Sequence, residues 1–271
     1  MPQIVIQPFE DAVDRLVGKT AVASKLRTKD WEGMDLSIRE RSFFSAGVDD
    51  LRTVQTFQDK LNEALTLGHD NPERAFMDRS KFVSEMRQAL GAPEGDSGDI
   101  TDITSRRRLE LIYDFQTQDA AEFGRWKIGQ DPELLDAFPA QEFLRIESRH
   151  VPREDWPERW RAAGGRFYDG RMIALKNDPV WTQLSRFGRP WPPFDFGSGM
   201  GIEDVDRDEA ERIGLIAPGQ QPLAKDEDFN KNLNADVSGL DENLAAKLNE
   251  WFGDKVKIDG DVAEWRQSDE V

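Results

Sequence analysis

Between Gly164 and Gly201 the chain reads GGRFYDGRMIALKNDPVWTQLSRFGRPWPPFDFGSGMG, the stretch that most limits what can fold here. It holds Pro179, Pro190, Pro192 and Pro193, tryptophans Trp181 and Trp191, four phenylalanines and seven glycines. Proline fixes φ and removes a donor, and glycine reaches positive φ at little cost, so this backbone is expected to form neither a long helix nor a central strand. Its aromatic rings nevertheless carry too much apolar area to be left in water. The stretch is therefore expected to be an ordered, irregular loop packed on a helical body, acting as a clasp or carrying function. Within it, Met172 to Leu175 reads as a short buried strand, flanked by turns at Tyr168-Asp169-Gly170-Arg171 and Lys176-Asn177-Asp178-Pro179.

The helices come from periodicity. Leu51, Val54, Phe57, Leu61 and Leu65 recur at three- and four-residue steps, with Gly68 as the stop. Phe82, Met86 and Leu90 mark a helix from about Asp78 that Gly91 ends. Residues 91–99, GAPEGDSGD, read as a linker. A long helix follows from about Thr104 to Gln130, with Leu109, Ile112, Ala120 and Phe123 on one stripe. Its opening cations, Arg106 to Arg108, oppose the helix dipole and so call for a salt-bridged position or an acidic partner.

Asp131-Pro132-Glu133 reads as N-cap, first helical position and acidic first turn. Gln141 to Ser148 is expected to be extended, with some of its apolar residues (Phe143, Leu144, Ile146) inward. Asp155-Trp156-Pro157 opens a short amphipathic helix through Trp160, stopped at Gly164. Asp206 and Glu209 resemble a capping box for a helix ended by Gly214. Residues 217–238 read as a polar connector, and a last helix runs from about Asp241 to Phe252. Alternation around Asp259-Gly260 signals a hairpin. The first 47 residues are weakly patterned, apart from helical spacing between Phe9 and Leu16 and a candidate edge strand at Ile4-Val5-Ile6. The fold class is α+β: mainly helical, with a small sheet or hairpins and a long ordered Pro/Gly/aromatic loop.

The 271 residues carry 53 acids and 36 bases, a net charge of -17. That balance disfavours direct nucleic-acid binding, which draws its affinity from Lys and Arg displacing counterions. Residues 201–271 hold 19 of the acids against 8 bases, a net of -11, which suits solubility or a basic partner. With no cysteine, disulfides, thiol catalysis and thiolate metal sites are excluded. No apolar run suggests a membrane span, and the first residues lack the pattern of a signal peptide, so a soluble protein made in a cytoplasm is expected.

Catalytic motifs are sparse. Neither histidine lies in a metal-binding pattern: His69 follows a helix stop, and His150 sits in Arg145-Ile-Glu-Ser-Arg149-His150. Gly197-Ser-Gly199-Met-Gly201 looks superficially like a dinucleotide loop. Pro192-Pro193 precede it instead of a strand, however, and Glu203, Asp204 and Asp206 would repel phosphate. Among the carboxylates, Asp195 between Phe194 and Phe196 is the one expected in an apolar setting, either with a raised pKa or bonded to backbone N–H groups.

Four elements in order then give the middle of the chain a likeness. They are the Arg-rich helix start Arg106-Arg-Arg-Leu-Glu-Leu-Ile112 through Thr117, Ala120 and Gly124; Arg145-Ile-Glu-Ser-Arg149-His150; Asn177-Asp178-Pro179-Val-Trp181; and Pro192-Pro193-Phe-Asp195-Phe-Gly197-Ser-Gly199-Met200. Together they resemble the phage Mu F-like minor head protein (phage head morphogenesis) family, over roughly residues 100–215. The family's closing cysteines are replaced here by residues such as Ser198 and Met200, so no thiol or metal role passes through them.

The resemblance implies a non-enzymatic structural component of a phage or prophage head. It would associate with the portal protein and with capsid or scaffold proteins during assembly, first in the bacterial host cytoplasm and then in the virion head, without cofactors. Arg149, His150, Asp178, Pro179 and Trp181, with Trp191, Pro192, Pro193, Asp195 and Gly197, become its structural motif or partner contact. Three segments follow from this reading: a helical region over 1–95, a head-morphogenesis-like core over 96–216, and an acidic connector, helix and hairpin over 217–271. The alternative is a prophage-borne enzyme or toxin domain in which His150, Asp178 and Asp195 meet in one pocket.

Overall fold

A computed structural model describes residues 8–68, 72–224, 234–238, 240 and 242–266. His69 and the Ile4-Val5-Ile6 segment lie outside the described residues. Helices dominate and the sheets are small, an α+β architecture. The described chain divides into two compact units, one formed by residues 8–12 and 118–224, the other by 13–117 and 234–266. No described helix is long and apolar enough to cross a membrane.

In chain order the structure opens with α1 (Pro8–Val17), β1 (Thr20–Val22), α2 (Thr28–Glu32), α3 (Leu36–Glu40) and β2 (Ser42–Phe44). Strands β1 and β2 pair in parallel. Then come α4 (Leu51–Gly68) and α5 (Pro72–Ala89). Val54, Phe57 and Leu61 of α4 are wholly buried and Phe82 and Met86 of α5 nearly so, as their spacing requires, whereas Leu51 is 47% exposed. Asp50 caps α4 by accepting from the Thr53 N–H at 2.8 Å.

Gly91 ends the second of these helices at φ +61. Residues 91–105 form neither helix nor strand, but they are tied down. The Arg87 guanidinium donates to the carbonyls of Pro93, Gly95 and Thr104 at 2.8, 2.6 and 2.5 Å.

Helix α6 (Arg106–Ile128) gives residues to both units. Of its opening cations, Arg108 turns inward, donating to Ser45 Oγ and Ala46 O, and burial lowers its pKa. After α6 come α7 (Pro132–Ala137), β3 (Ala140–Arg145), α8 (Trp156–Ala162), β4 (Phe167–Tyr168), β5 (Arg171–Leu175), α9 (Val180–Leu184), β6 (Met200–Val205) and α10 (Arg207–Arg212). Asp131 and Asp206 cap α7 and α10 through their side chains, as expected.

The four strands form one antiparallel sheet in the order β4-β5-β3-β6. Alternation gives this sheet two apolar faces. Ala140, Ile173 and Val205 pack with Ala210 and Ile216 on one side. Phe143, Ala174 and Met200 pack with Trp156, Trp160, Val180, Trp181, Leu184 and Phe194 on the other.

Two expectations are corrected here. The Gly164–Gly201 stretch does supply an interior strand: β5 is bonded on both sides, because all its prolines and glycines lie outside residues 171–175. The longest irregular run within the stretch is residues 185–199. Ile146, expected inward, is 48% exposed because β3 stops at Arg145.

In the other unit, β7 (Ala235–Asp236), α11 (Glu242–Phe252), β8 (Val256–Asp259) and β9 (Val262–Trp265) complete the described chain. The hairpin β8–β9 turns at Gly260, and β7 adds a third strand within the segment expected as connector. Their core joins Leu248, Phe252, Val256 and Ala263 to Met34 and Ile38.

Candidate functional site

Two of the sequence elements singled out above, those of Trp181 and Phe194, meet on the Trp-rich face of the four-stranded sheet. Asp178 Oδ1 accepts from the Val180 N–H at 2.8 Å and so starts α9, with exposed Pro179 at the N-cap position. That short helix delivers Trp181, fully buried, whose indole N–H donates to Leu175 O at 2.8 Å. Its ring meets Trp160 edge-on at 5.3 Å and Phe194 at 5.9 Å. Phe194 follows Pro192 and Pro193, both buried and joined by a cis peptide bond.

Trp191 is fully buried as well, but it looks toward α6. Its indole N–H donates to Asp119 Oδ1 at 2.9 Å, and its ring lies 5.2 Å from Phe123 and 5.1 Å from Trp126. Asp119 also pairs with Arg189, both side chains almost inaccessible to solvent. A buried carboxylate is tolerable only when paired and hydrogen-bonded, and here one aspartate receives a guanidinium and an indole.

Asp195 is the hub of the loop. It is 6% exposed, accepts from the Phe196 N–H at 2.8 Å, and faces three guanidiniums: Arg159 at 3.1 Å, Arg186 at 3.3 Å and Arg153 at 3.6 Å. Of the two settings expected for it, the structure shows the bonded one. The outer edge is exposed Gly197, at φ +56.

The Arg149-His150 element is pinned against this same loop. The Ile146 and Glu147 N–H groups both donate to Gly199 O at 3.0 Å. Gly199 has φ +68 and no room for a Cβ, which would press on Glu147 O. Arg145 donates to Ser198 O and Arg153 O, and Arg153 to Phe196 O. The connecting segment, residues 145–155, is exposed throughout, including Arg149, ion-paired to Glu147, and His150.

The structure therefore joins Trp181 to the closing element by ring packing, and the Arg149-His150 segment to it by backbone hydrogen bonds. Among the described residues, no hydrogen bond or ion pair links His150, Asp178 and Asp195 to one another, and no group of three or more His, Asp or Glu is placed to hold a metal ion.

Beside the loop lies a cleft of about 400 Å³ between the end of β3, residues 152–157 and residues 170–172. Phe143, Trp156, Met172 and Met200 give it apolar walls, and Arg145, Arg153 and Glu154 also line it. Arg171 lines it too, but is bound to Glu142 and Glu209. The indole N–H of Trp156, a residue only 2% exposed, has no acceptor among the described residues.

Sequence reasoning missed Asp119, Arg189 and the three arginines around Asp195. For Asp119 a signal existed: it falls seven residues after Ile112 and four before Phe123, on the buried stripe of α6, and an acid there demands a buried cation. The arginines gave none, since Arg153, Arg159 and Arg186 come from separate segments.

Comparison with protein-family models, with curated proteins and with solved structures finds no match to this chain.

Proposed function

We propose that this chain is a minor head component of a phage or prophage, a non-enzymatic protein that docks on the portal and on capsid or scaffold proteins while the head is assembled. One observation carries the reading. Elements that resemble the head-morphogenesis pattern, separated by up to about fifty residues in sequence, share one packed body: Trp181 lies against Phe194, and Ile146 and Glu147 bond to Gly199. A signature spread along a chain has a physical reason to persist as a set when its parts hold one another. Asp195, the carboxylate most eligible for acid–base work, is occupied by three guanidiniums and a backbone N–H, an arrangement suited to fixing a loop. The exposed edge formed by residues 145–155 and Gly197 is the surface offered to a partner.

Deletion of the gene from an inducible prophage tests this. Defective or empty heads, restored by the gene in trans and with the chain present in purified particles, are expected. Normal infectious particles lacking the chain would overturn the reading. So would a genome whose flanking genes encode neither portal nor terminase.

A further inference from the structure

We infer that the cleft beside Asp195 is a peptide-docking site for an acidic, extended segment of a partner protein, one that carries a bulky apolar side chain next to a carboxylate. The inference deepens the reading as a docking component and rests on it for the claim that the ligand belongs to a protein.

The walls come first. Phe143, Trp156, Met172 and Met200 present rings and thioethers to a cleft of about 400 Å³, a size that takes a ligand of a few side chains. Methionine adapts its shape to an incoming apolar group. The rim supplies the charge. Arg145 donates only to carbonyl oxygens, those of Ser198 and Arg153, so no carboxylate among the described residues neutralises it. Arg153 shares Asp195 with Arg159, and its side chain is itself 40% exposed. On a chain of net charge -17, a rim left positive by its own pairing is a local exception that a carboxylate would complete.

Two further features favour a peptide over a compact anion. The exposed segment that leads away from the rim carries Ile146, 48% exposed, and Val151, 81% exposed, apolar points along which an extended chain can continue. Trp156 forms part of the cleft wall, and its buried indole N–H has no acceptor among the described residues, a donor that a peptide carbonyl or carboxylate would satisfy on entering that wall. Glu154 is the counterweight: a carboxylate on the rim that repels an acidic ligand and limits its affinity.

The test uses the full chain, labelled with ¹⁵N, and follows the indole N–H signal of Trp156, assigned with Trp156→Phe. The probe is the blocked peptide Ac-Gly-Asp-Leu-Phe-Glu-Gly-NH₂, with its Asn/Gln counterpart and citrate as controls. The acidic peptide is expected to move the Trp156 signal to saturation with a Kd below about 1 mM, and the neutral peptide to bind about tenfold more weakly or worse. Arg153→Gln should weaken binding about tenfold. Glu154→Gln should tighten it about two- to fivefold, a gain that no folding defect produces. An unmoved Trp156 signal, equal binding of the neutral peptide, the same shift from citrate alone, or no tightening in Glu154→Gln would each overturn the inference. Peptide binding is measured on the isolated chain, so it can fail while head assembly still requires the protein, and it can succeed on a chain that no virion contains.

Discussion

Trp191 and Asp119, 72 residues apart, meet through an indole N–H donating at 2.9 Å to a carboxylate that also holds Arg189. The bond joins the irregular loop to α6, and none of its members is accessible to solvent. Breaking it from the acid side takes the Asp119 charge away from a buried guanidinium. Asp119→Ala is therefore expected to cost about 3–5 kcal/mol, whereas Trp191→Phe, which keeps a ring and loses the donor, should cost about 1–3 kcal/mol. Chemical denaturation of the two variants measures both, and equal losses would refute the ordering.

Trp181 carries the other anchor. Wholly buried between Trp160 and Phe194, it fills space that nothing nearby can relax into. Trp181→Ala should destabilise the fold by about 3–5 kcal/mol. An unchanged melting temperature would mean that the ring serves contact rather than packing.

Asp195 faces three arginines at once. Asp195→Asn keeps the shape and removes the one charge that Arg153, Arg159 and Arg186 share. A loss of about 1.5–3 kcal/mol is expected at low ionic strength. Because the arginines are partly exposed, that loss should shrink in about 1 M salt, where the screening length falls to roughly 3 Å. Melting curves at two salt concentrations decide it.

Gly165 lies against the face of Trp160, where an added Cβ would overlap the indole ring. Trp160 can step aside only at a cost, since it is fully buried and its N–H donates to Arg166 O at 2.7 Å. Gly165→Ala should cost about 1–3 kcal/mol by overpacking. The neighbouring Gly164→Ala meets open space but requires a strained backbone at φ +89, so its cost comes from conformation alone. Crystal structures of the two variants should show a displaced indole in the first and an unmoved one in the second.

Glu122 gives a pH dependence. Burial raises its carboxyl pKa above the ordinary 4.5, and Arg125 offsets this only in part. A raised folded-state value means that the proton is held more tightly in the folded chain. The stability it contributes is complete below the ordinary value and lost as pH rises through the folded one. Glu122→Gln, uncharged throughout, should therefore melt higher than the parent at pH 7, with the gap closing toward pH 4. A gap that stays constant across that range would refute the assignment.

What could be read from the sequence was local. Helix α4 followed from the spacing of Val54, Phe57 and Leu61, the starts of α7 and α10 from Asp131 and Asp206, and the β8–β9 hairpin from the alternation around Gly260. The pairing of Thr20–Val22 with Ser42–Phe44 was invisible, because three-residue parallel strands carry almost no pattern of their own. The interior position of β5 was hidden by the prolines and glycines around it, which spoke for the stretch as a whole. At the site, the composition of Gly164–Gly201 foretold an ordered loop, though not its bounds or which cations Asp195 would gather, since those depend on folds made elsewhere in the chain.

The central strand β3 has one further consequence, in the order of synthesis. Its first partner, β5, leaves the ribosome about thirty residues after it, but its second, β6, only about sixty residues after it. Until Met200–Val205 emerges, the growing chain carries β3 with one edge unpaired and with Trp156, Trp160 and Trp181 lacking Phe194 and Met200 above them. Sequence separation of this kind slows folding, and it sets an interval during translation in which the nascent chain exposes both a sheet edge and an aromatic surface. The last residues of the loop therefore close the domain in time as well as in space, and truncation just before Met200 should yield a chain that chaperones retain.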